Sequence, residues 1–216
     1  MQRLTEVAIV RGQRGLFTRT ELANWIRGSA DVQFALLKRA IAAEEVVRIH
    51  RGLYCLSARY RAEPIDSFVV AQYLLGPSYV SLESALAFHG WIPEAVETVT
   101  SVGMERSRTI QTPIGRFGFV RVPQVRLFEE VHRIVRRPTE AFFVASPLKA
   151  LADYVYVHRC DWDTPEPVIG SLRVDRDQLE SIDDEAIEGL TRNYRSRRVV
   201  RFLEGLRGRK RRCRSA

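Results

Sequence analysis

The chain has 216 residues, 45% of them apolar, and a formal charge of +8. That length allows one large domain or two small ones, and the apolar share is enough to build a core. The charge is unevenly placed: residues 1–61 carry 11 basic and 5 acidic side chains (net +6), residues 62–194 carry 13 and 20 (net −7), and residues 195–216 carry 10 and 1 (net +9). Cationic ends around an acidic middle point to a polyanion partner for the ends and another task for the middle.

In chain order, Leu4, Val7, Ala8 and Arg11 recur at helical spacing, and Gly12 and Gly15 close that first helix. Thr18 is a good N-cap for the helix RTELANWI, with Glu21 three residues on as the second half of a capping box. Leu22, Trp25 and Ile26 form its apolar side, Gly28 and Ser29 make a turn, and Ser29 or Asp31 caps the next helix. The stretch DVQFALLKRAIAAEEVVRIHRGLYCL follows, and the rest is organised around it. Phe34, Leu37 and Ile41 predict the core face of an amphipathic helix, with Val32 and Arg39 pointing away and Gln33 on the flank. Val47, Ile49, Leu53 and Cys55 keep period two around His50-Arg51-Gly52, where Gly52 can take the positive φ of a tight hairpin. Two helices, a turn, a third helix and a hairpin are the expected order of a winged helix-turn-helix.

DNA needs cations against its phosphates and paired donors and acceptors against its bases. Arg19, Arg48, His50 and Arg51 suit phosphate. Gln33 suits adenine and Arg39 guanine, with Lys38 beside the apolar stripe. These seven residues are the candidate DNA-binding set. Pro64 marks the expected boundary, so the winged helix-turn-helix occupies residues 1–61.

Beyond it, residues 65–75 read as an apolar helix stopped by Gly76-Pro77, and a second helix runs from Tyr79 or Ser81 to Ala87. Residues 96–102, 116–122, 132–135 and 141–145 read as strands. Ser146-Pro147 starts a helix buried through Leu148, Leu151, Ala152 and Val155. Residues 161–170 read as an exposed, proline-broken loop, and residues 175–189 as acidic and helical. Residues 194–206 form an amphipathic helix on Val199, Phe202, Leu203 and Leu206. Residues 207–216 are a basic tail, disordered when free. There Arg207, Arg209, Lys210, Arg211 and Arg212 would hold nucleic-acid phosphate without sequence preference. The fold class expected is therefore α+β: a winged helix-turn-helix, a mixed α/β domain over residues 65–206 ending in helices, and the tail.

Chemistry is harder to find. The three lysines, Lys38, Lys149 and Lys210, are preceded at two positions by Leu36, Pro147 and Gly208, so no acidic nuclease motif is present. There is no G-x-x-x-x-G-K, G-x-S-x-G or H-E-x-x-H. His50, His89, His132 and His158 share no ligand spacing, and His89 suits a helix C-terminus as a structural cation. Asp161 and Asp163 have no His or Glu in register and read as loop polars. Cys55, Cys160 and Cys213 are scattered, with no C-x-x-C, as reduced thiols in a cytoplasmic protein would be. No long apolar run predicts a signal peptide or a membrane span. The expectation is no enzyme, no cofactor, no metal and no membrane.

Three stretches together, RGLYCL after a winged helix, SYVSLESALAFHGWIPEAVETVTSV, and ASPLKALADYVY, resemble the AbiEi family of bacterial antitoxins and viral-defence transcriptional regulators. The likeness covers roughly residues 4–158 and departs from the usual pattern at Ala40, where a larger apolar residue is common, and at Glu44, where a glycine often sits. It implies a promoter-binding autorepressor acting on double-stranded DNA with inverted repeats. It also implies an antitoxin domain that counters an AbiEii-like nucleotidyltransferase toxin in a type IV toxin-antitoxin system, without a stable complex. Two other readings stay open: an interaction protein whose acidic middle domain binds a basic partner while its ends tether it to nucleic acid, and a toxin-like enzyme acting on RNA.

Overall fold

The computed structural model describes residues 1–12, 15–94, 96–137 and 140–214, the side chains of 137 and 209–214 excepted. The chain opens with α1 (Arg3–Arg11), β1 (Leu16–Thr18), α2 (Arg19–Trp25), α3 (Ala30–Ala42) and the hairpin β2 (Val46–His50) and β3 (Leu53–Leu56). This is the expected order of helices and hairpin with one strand added. β1 pairs antiparallel with β3, Leu16 opposite Cys55 and Thr18 opposite Leu53, so β3 is the centre of a three-stranded sheet ordered β1-β3-β2.

Local chemistry explains the helix starts. The Thr18 hydroxyl accepts from the Glu21 N–H at 3.2 Å, and the Glu21 carboxylate accepts from the Thr18 N–H at 2.7 Å, which is the reciprocal capping box. Ser29 caps α3 by accepting from the Val32 N–H. The hairpin turns at Arg51-Gly52, with Gly52 at φ +80°.

The second part builds one sheet ordered β6-β7-β5-β4-β9-β8 among the described residues. Its strands are β4 (Ser78–Val80), β5 (Thr98–Gly103), β6 (Arg108–Thr112), β7 (Gly115–Arg121), β8 (Val131–Arg137) and β9 (Glu140–Ala145). β4 joins the halves, antiparallel to β5 and parallel to β9. α4 (Ser67–Leu74) lies against β4, β5 and β9; α5 (Leu82–Phe88) packs on β5 and on α6 (Pro147–Val157). α7 (Glu166–Leu172), α8 (Arg176–Glu180), α9 (Asp184–Asn193) and α10 (Arg197–Arg214) follow, with α9 and α10 both packed on α6. The chain is thus mixed α and β throughout.

Among the described residues burial divides into two cores. The smaller joins Leu4, Ala8, Phe17, Leu22, Leu37, Tyr54 and Leu56. The larger spans the six-stranded sheet and its helices, and it also takes in Leu16, Ile49, Leu53 and Cys55 from the N-terminal sheet. The alternation along β3 sends Tyr54 and Leu56 one way and Leu53 and Cys55 the other. All four are buried for that reason, which the period-two reading of a half-exposed hairpin does not anticipate.

Several expectations need correction. The core stripe of α3 is Leu36, Leu37 and Ala40, with Ile41 half-buried against it; Leu37 and Ile41 stand as expected, but Phe34 is 59% exposed and is not a core residue. Residues 161–170 are not wholly a loop, because α7 begins at Glu166 and buries Val168 and Leu172, four residues apart on one face. Proline is compatible with a helix start, so Pro165 and Pro167 do not prevent it. The acidic stretch 175–189 is helical as expected, in two pieces, α8 and α9, broken at residues 181–183. The tail expected to be disordered continues α10 to Arg214. Arginine and lysine are good helix formers, so charge alone does not end a helix already docked through Val199, Phe202 and Leu206.

Candidate nucleic-acid interface

α3 owes its position to one buried and one open face. Leu36, Leu37 and Ala40 face the smaller core, and Asp31, Val32, Phe34, Ala35, Lys38 and Arg39 are all exposed on the other side. Arg39 folds back, its Nε donating to the Ala35 carbonyl at 3.4 Å, while Lys38 sits four residues after Phe34. The cations therefore occupy the C-terminal half of the open face and apolar side chains its N-terminal half.

Gln33 is placed differently from the expectation of an adenine reader. Its Nε2 donates to the Ile26 carbonyl at 2.9 Å, with the Ala23 and Gly28 carbonyls at 3.4 Å. The amide thus fastens the α2–α3 turn by satisfying carbonyls that a helix end leaves open.

The second group gathers at the hairpin. The Arg19 N–H donates to the Gly52 carbonyl at 2.9 Å, which sets the start of α2 beside the hairpin tip. Arg19, His50 and Arg51 are exposed there. Arg48 and His50 project outward while Ile49 between them is buried, and the strand register shifts across these three residues. A bulge of this kind re-aims side chains. Arg48 also borders a cleft of about 600 Å³ between Ile41, Glu44, Val47 and Pro113.

Two supports of this surface escape the sequence reading. Glu45, buried just after α3, accepts from the Thr5 hydroxyl at 2.6 Å and the Gln2 N–H at 2.8 Å, which ties α3 to α1. The Thr5 bond is the main cause that holds its carboxyl below the usual range, and the Gln2 bond is the next. Arg59 donates from Nη2 to the Ala43 carbonyl at 2.8 Å, a cation at the negative end of α3.

Of the expected phosphate contacts at the C-terminus, Arg207 is half-buried and donates to Glu188 at 3.2 Å, so it stands in an ion pair with α9. Arg209, Lys210, Arg211 and Arg212 lie outside the residues whose side chains are described.

The larger core holds a polar cluster that spacing alone does not reveal. Lys149 and Asp153, one turn apart on α6, are both fully buried. Asp153 accepts from Tyr194 at 2.6 Å, Ser81 at 2.7 Å and Tyr79 at 2.8 Å. Lys149 Nζ donates to Gln124 at 2.6 Å and lies 5.1 Å from the ring centroids of Tyr79 and Tyr194. Burial lowers the Lys149 ammonium and raises both phenols well above their usual values, with Asp153 adding to the rise of each tyrosine. With every member enclosed and partnered, the cluster joins β4, α6 and the α9–α10 junction rather than facing a substrate.

Elsewhere, the His89 ring shares a 2.9 Å hydrogen bond with the Ala145 carbonyl, and burial lowers its pKa. It stands at the C-terminal end of α5 with a structural role, its ring nitrogen donating to that carbonyl. Asp161 accepts from Arg198 at 3.0 Å and Arg201 at 3.2 Å, docking α10. Cys55 and Cys160 are free thiols. Among the described residues no three His, Cys, Asp or Glu side chains converge on a metal position, and no helix is long and apolar enough to cross a membrane.

Residues 5–57 match the family of transcriptional regulators described as AbiEi antitoxin. The matched stretch runs from α1 through β3, the elements that carry both cationic groups. No curated protein matches the chain. The match makes residues 5–57 similar to the AbiEi antitoxin regulators.

Proposed function

We propose that the protein is a DNA-binding transcriptional autorepressor and the antitoxin of a type IV toxin-antitoxin system. Residues 1–61 are its winged helix-turn-helix, residues 65–206 its antitoxin-type domain and residues 207–216 a cationic extension. α3 is the reading helix and β2–β3 the wing. The observation that carries this is the overlap of the regulator-family match with the open face of α3 and the exposed hairpin cations.

On this reading α3 enters the major groove with Lys38 and Arg39 outward, and Arg39 forks onto guanine. Arg19, Arg48, His50 and Arg51 line the flanking phosphates, and binding releases the counterions held there. Gln33 holds the angle between α2 and α3 through the turn carbonyls. Inverted repeats in its own promoter would each seat one copy. The antitoxin role counters an AbiEii-like nucleotidyltransferase toxin without a stable complex, as the family likeness implies.

The test is a salt-titrated binding assay of the full chain against its own upstream DNA and a scrambled duplex of equal length. The expected result is a preference of about a thousandfold or more for the upstream DNA. Equal binding to both duplexes would overturn the repressor reading. Co-expression with a nucleotidyltransferase toxin encoded beside it tests the antitoxin role, with restored growth expected. Unrelieved toxicity at full antitoxin expression would remove that half of the proposal.

A further inference from the structure

The open face of α3 has a chemical division that cation counting overlooks. In its first half the exposed side chains are Ala30, Asp31, Val32, Phe34 and Ala35. Val32 is 49% and Phe34 59% exposed. Lys38 and Arg39 follow only in the second half. In a helix-turn-helix the N-terminal part of the reading helix meets the base edges. Gln33, the one amide there, is turned inward to the Ile26 carbonyl. The exposed side chains of that half therefore offer no hydrogen-bond donor, and apart from the carboxylate of Asp31 they are apolar.

An exposed phenylalanine also needs an explanation of its own. The smaller core is complete without it, since Leu36, Leu37 and Ala40 supply the α3 contribution. The charge around it, Lys38 on the same face and Arg19, Arg48 and Arg51 at the hairpin, is that of a surface for a polyanion. The one apolar feature on a major-groove base edge is the 5-methyl of thymine.

We infer that Phe34 and Val32 are specificity-determining residues that pack on thymine 5-methyl groups at the centre of each half-site. This rests on the DNA-reading role proposed above. Phe34 and Lys38 lie one turn apart, so the ring would sit on a methyl while the ammonium reaches the adjoining phosphate. Val32, seven residues before Arg39, lies on the same side of the helix as the guanidinium. A thymine and a guanine on one side of the half-site are thus read together.

The experiment enriches tight binders of the full chain from a random duplex pool and takes the preferred duplex as probe. Each thymine is then replaced singly by deoxyuridine, which removes only the methyl. Wild-type protein is expected to lose about fourfold in affinity at one or two positions, the size of one buried methyl group. Phe34→Ala is expected to bind the thymine duplex more weakly and to show no further loss with deoxyuridine at its position; Phe34→Leu should keep part of the discrimination. Val32→Ala should erase the effect at a different position. Since both residues are exposed, unchanged thermal melting is expected for all three variants.

Wild-type affinity that is indifferent to every deoxyuridine would overturn the inference while leaving the reading role intact. So would a Phe34→Ala variant that keeps the full thymine preference, or one whose only change is a lost self-association in sedimentation. Failure to enrich any sequence would remove the reading role and this inference with it.

Discussion

Glu44 ends α3 in a conformation that its side chain opposes. Its φ is +55°, and the Glu44 and Glu45 N–H groups donate back to the Ile41 and Ala40 carbonyls at 3.0 and 2.9 Å. That is a Schellman closure, in which glycine is the favoured residue. The left-handed state costs a non-glycine residue about 1–2 kcal/mol, part of which glycine returns through its freer unfolded chain. Glu44→Gly is therefore expected to stabilise the fold by about 1 kcal/mol. Urea unfolding checks this: the midpoint should rise with an unchanged slope, and an unchanged or lower midpoint refutes it. Its neighbour Glu45 sets a pH dependence. The carboxyl is held below its unfolded value by Thr5 and Gln2, so it stabilises the fold above about pH 4.3 and less as pH falls through the depressed folded value. Glu45→Gln should thus be less stable than wild type at pH 7, with the gap narrowing in denaturant titrations as the pH falls into the acid range. A gap that stays constant across that range would exclude the ionised carboxylate as its cause.

Among the elements, those specified by local chemistry are the ones the sequence makes legible. The Thr18–Glu21 box, the Ser29 cap, Gly52 in the hairpin and Ser146-Pro147 each act within three or four residues, and each stands where its spacing predicts. The face of α3 is a different matter. Phe34, Leu36, Leu37, Ala40 and Ile41 are all apolar at helical spacings, and that Phe34 rather than Leu36 is left out of the core is decided by α1, α2 and the sheet that α3 must cover. β1 and β4 are three residues long and exist because β3 offers β1 partners some forty residues away, and β5 and β9 offer β4 partners some twenty and sixty residues away, which no local pattern encodes. For the proposed reader, two substitutions separate its elements. Arg39→Ala on the helix should relax preference at one base position and cost roughly 1–3 kcal/mol. Arg51→Ala on the hairpin should weaken all sequences alike and reduce the salt slope by about one. Binding isotherms on matched and mutated duplexes at several salt concentrations check both. An Arg39→Ala protein with undiminished operator preference would remove α3 as the reader.

In the whole molecule, the two cores are not independent. The charge asymmetry along the chain suggests separable parts, and the polar stretch that ends at Pro64 marks the expected boundary. Burial across β3 argues for coupling instead. Tyr54 and Leu56 complete the smaller core, whereas Leu53 and Cys55 on the opposite face belong to the larger one with Leu16 and Ile49. That opposition is invisible in the string LYCL, because each residue is apolar whichever way it points. Seating the small sheet on the larger core fixes the N-terminal helices relative to the rest, so α3 and the hairpin are presented from one framework. The consequence is a common unfolding event. Leu53 is 3% exposed and central, so Leu53→Ala should cost about 2–5 kcal/mol through lost burial and the cavity left behind. In differential scanning calorimetry wild type should give a single endotherm, and Leu53→Ala a single endotherm at lower temperature. Two endotherms in wild type, of which Leu53→Ala moves only the smaller, would mean that the small sheet merely rests on the larger core. Each copy on DNA would then have to fix the relative placement of its two parts by binding.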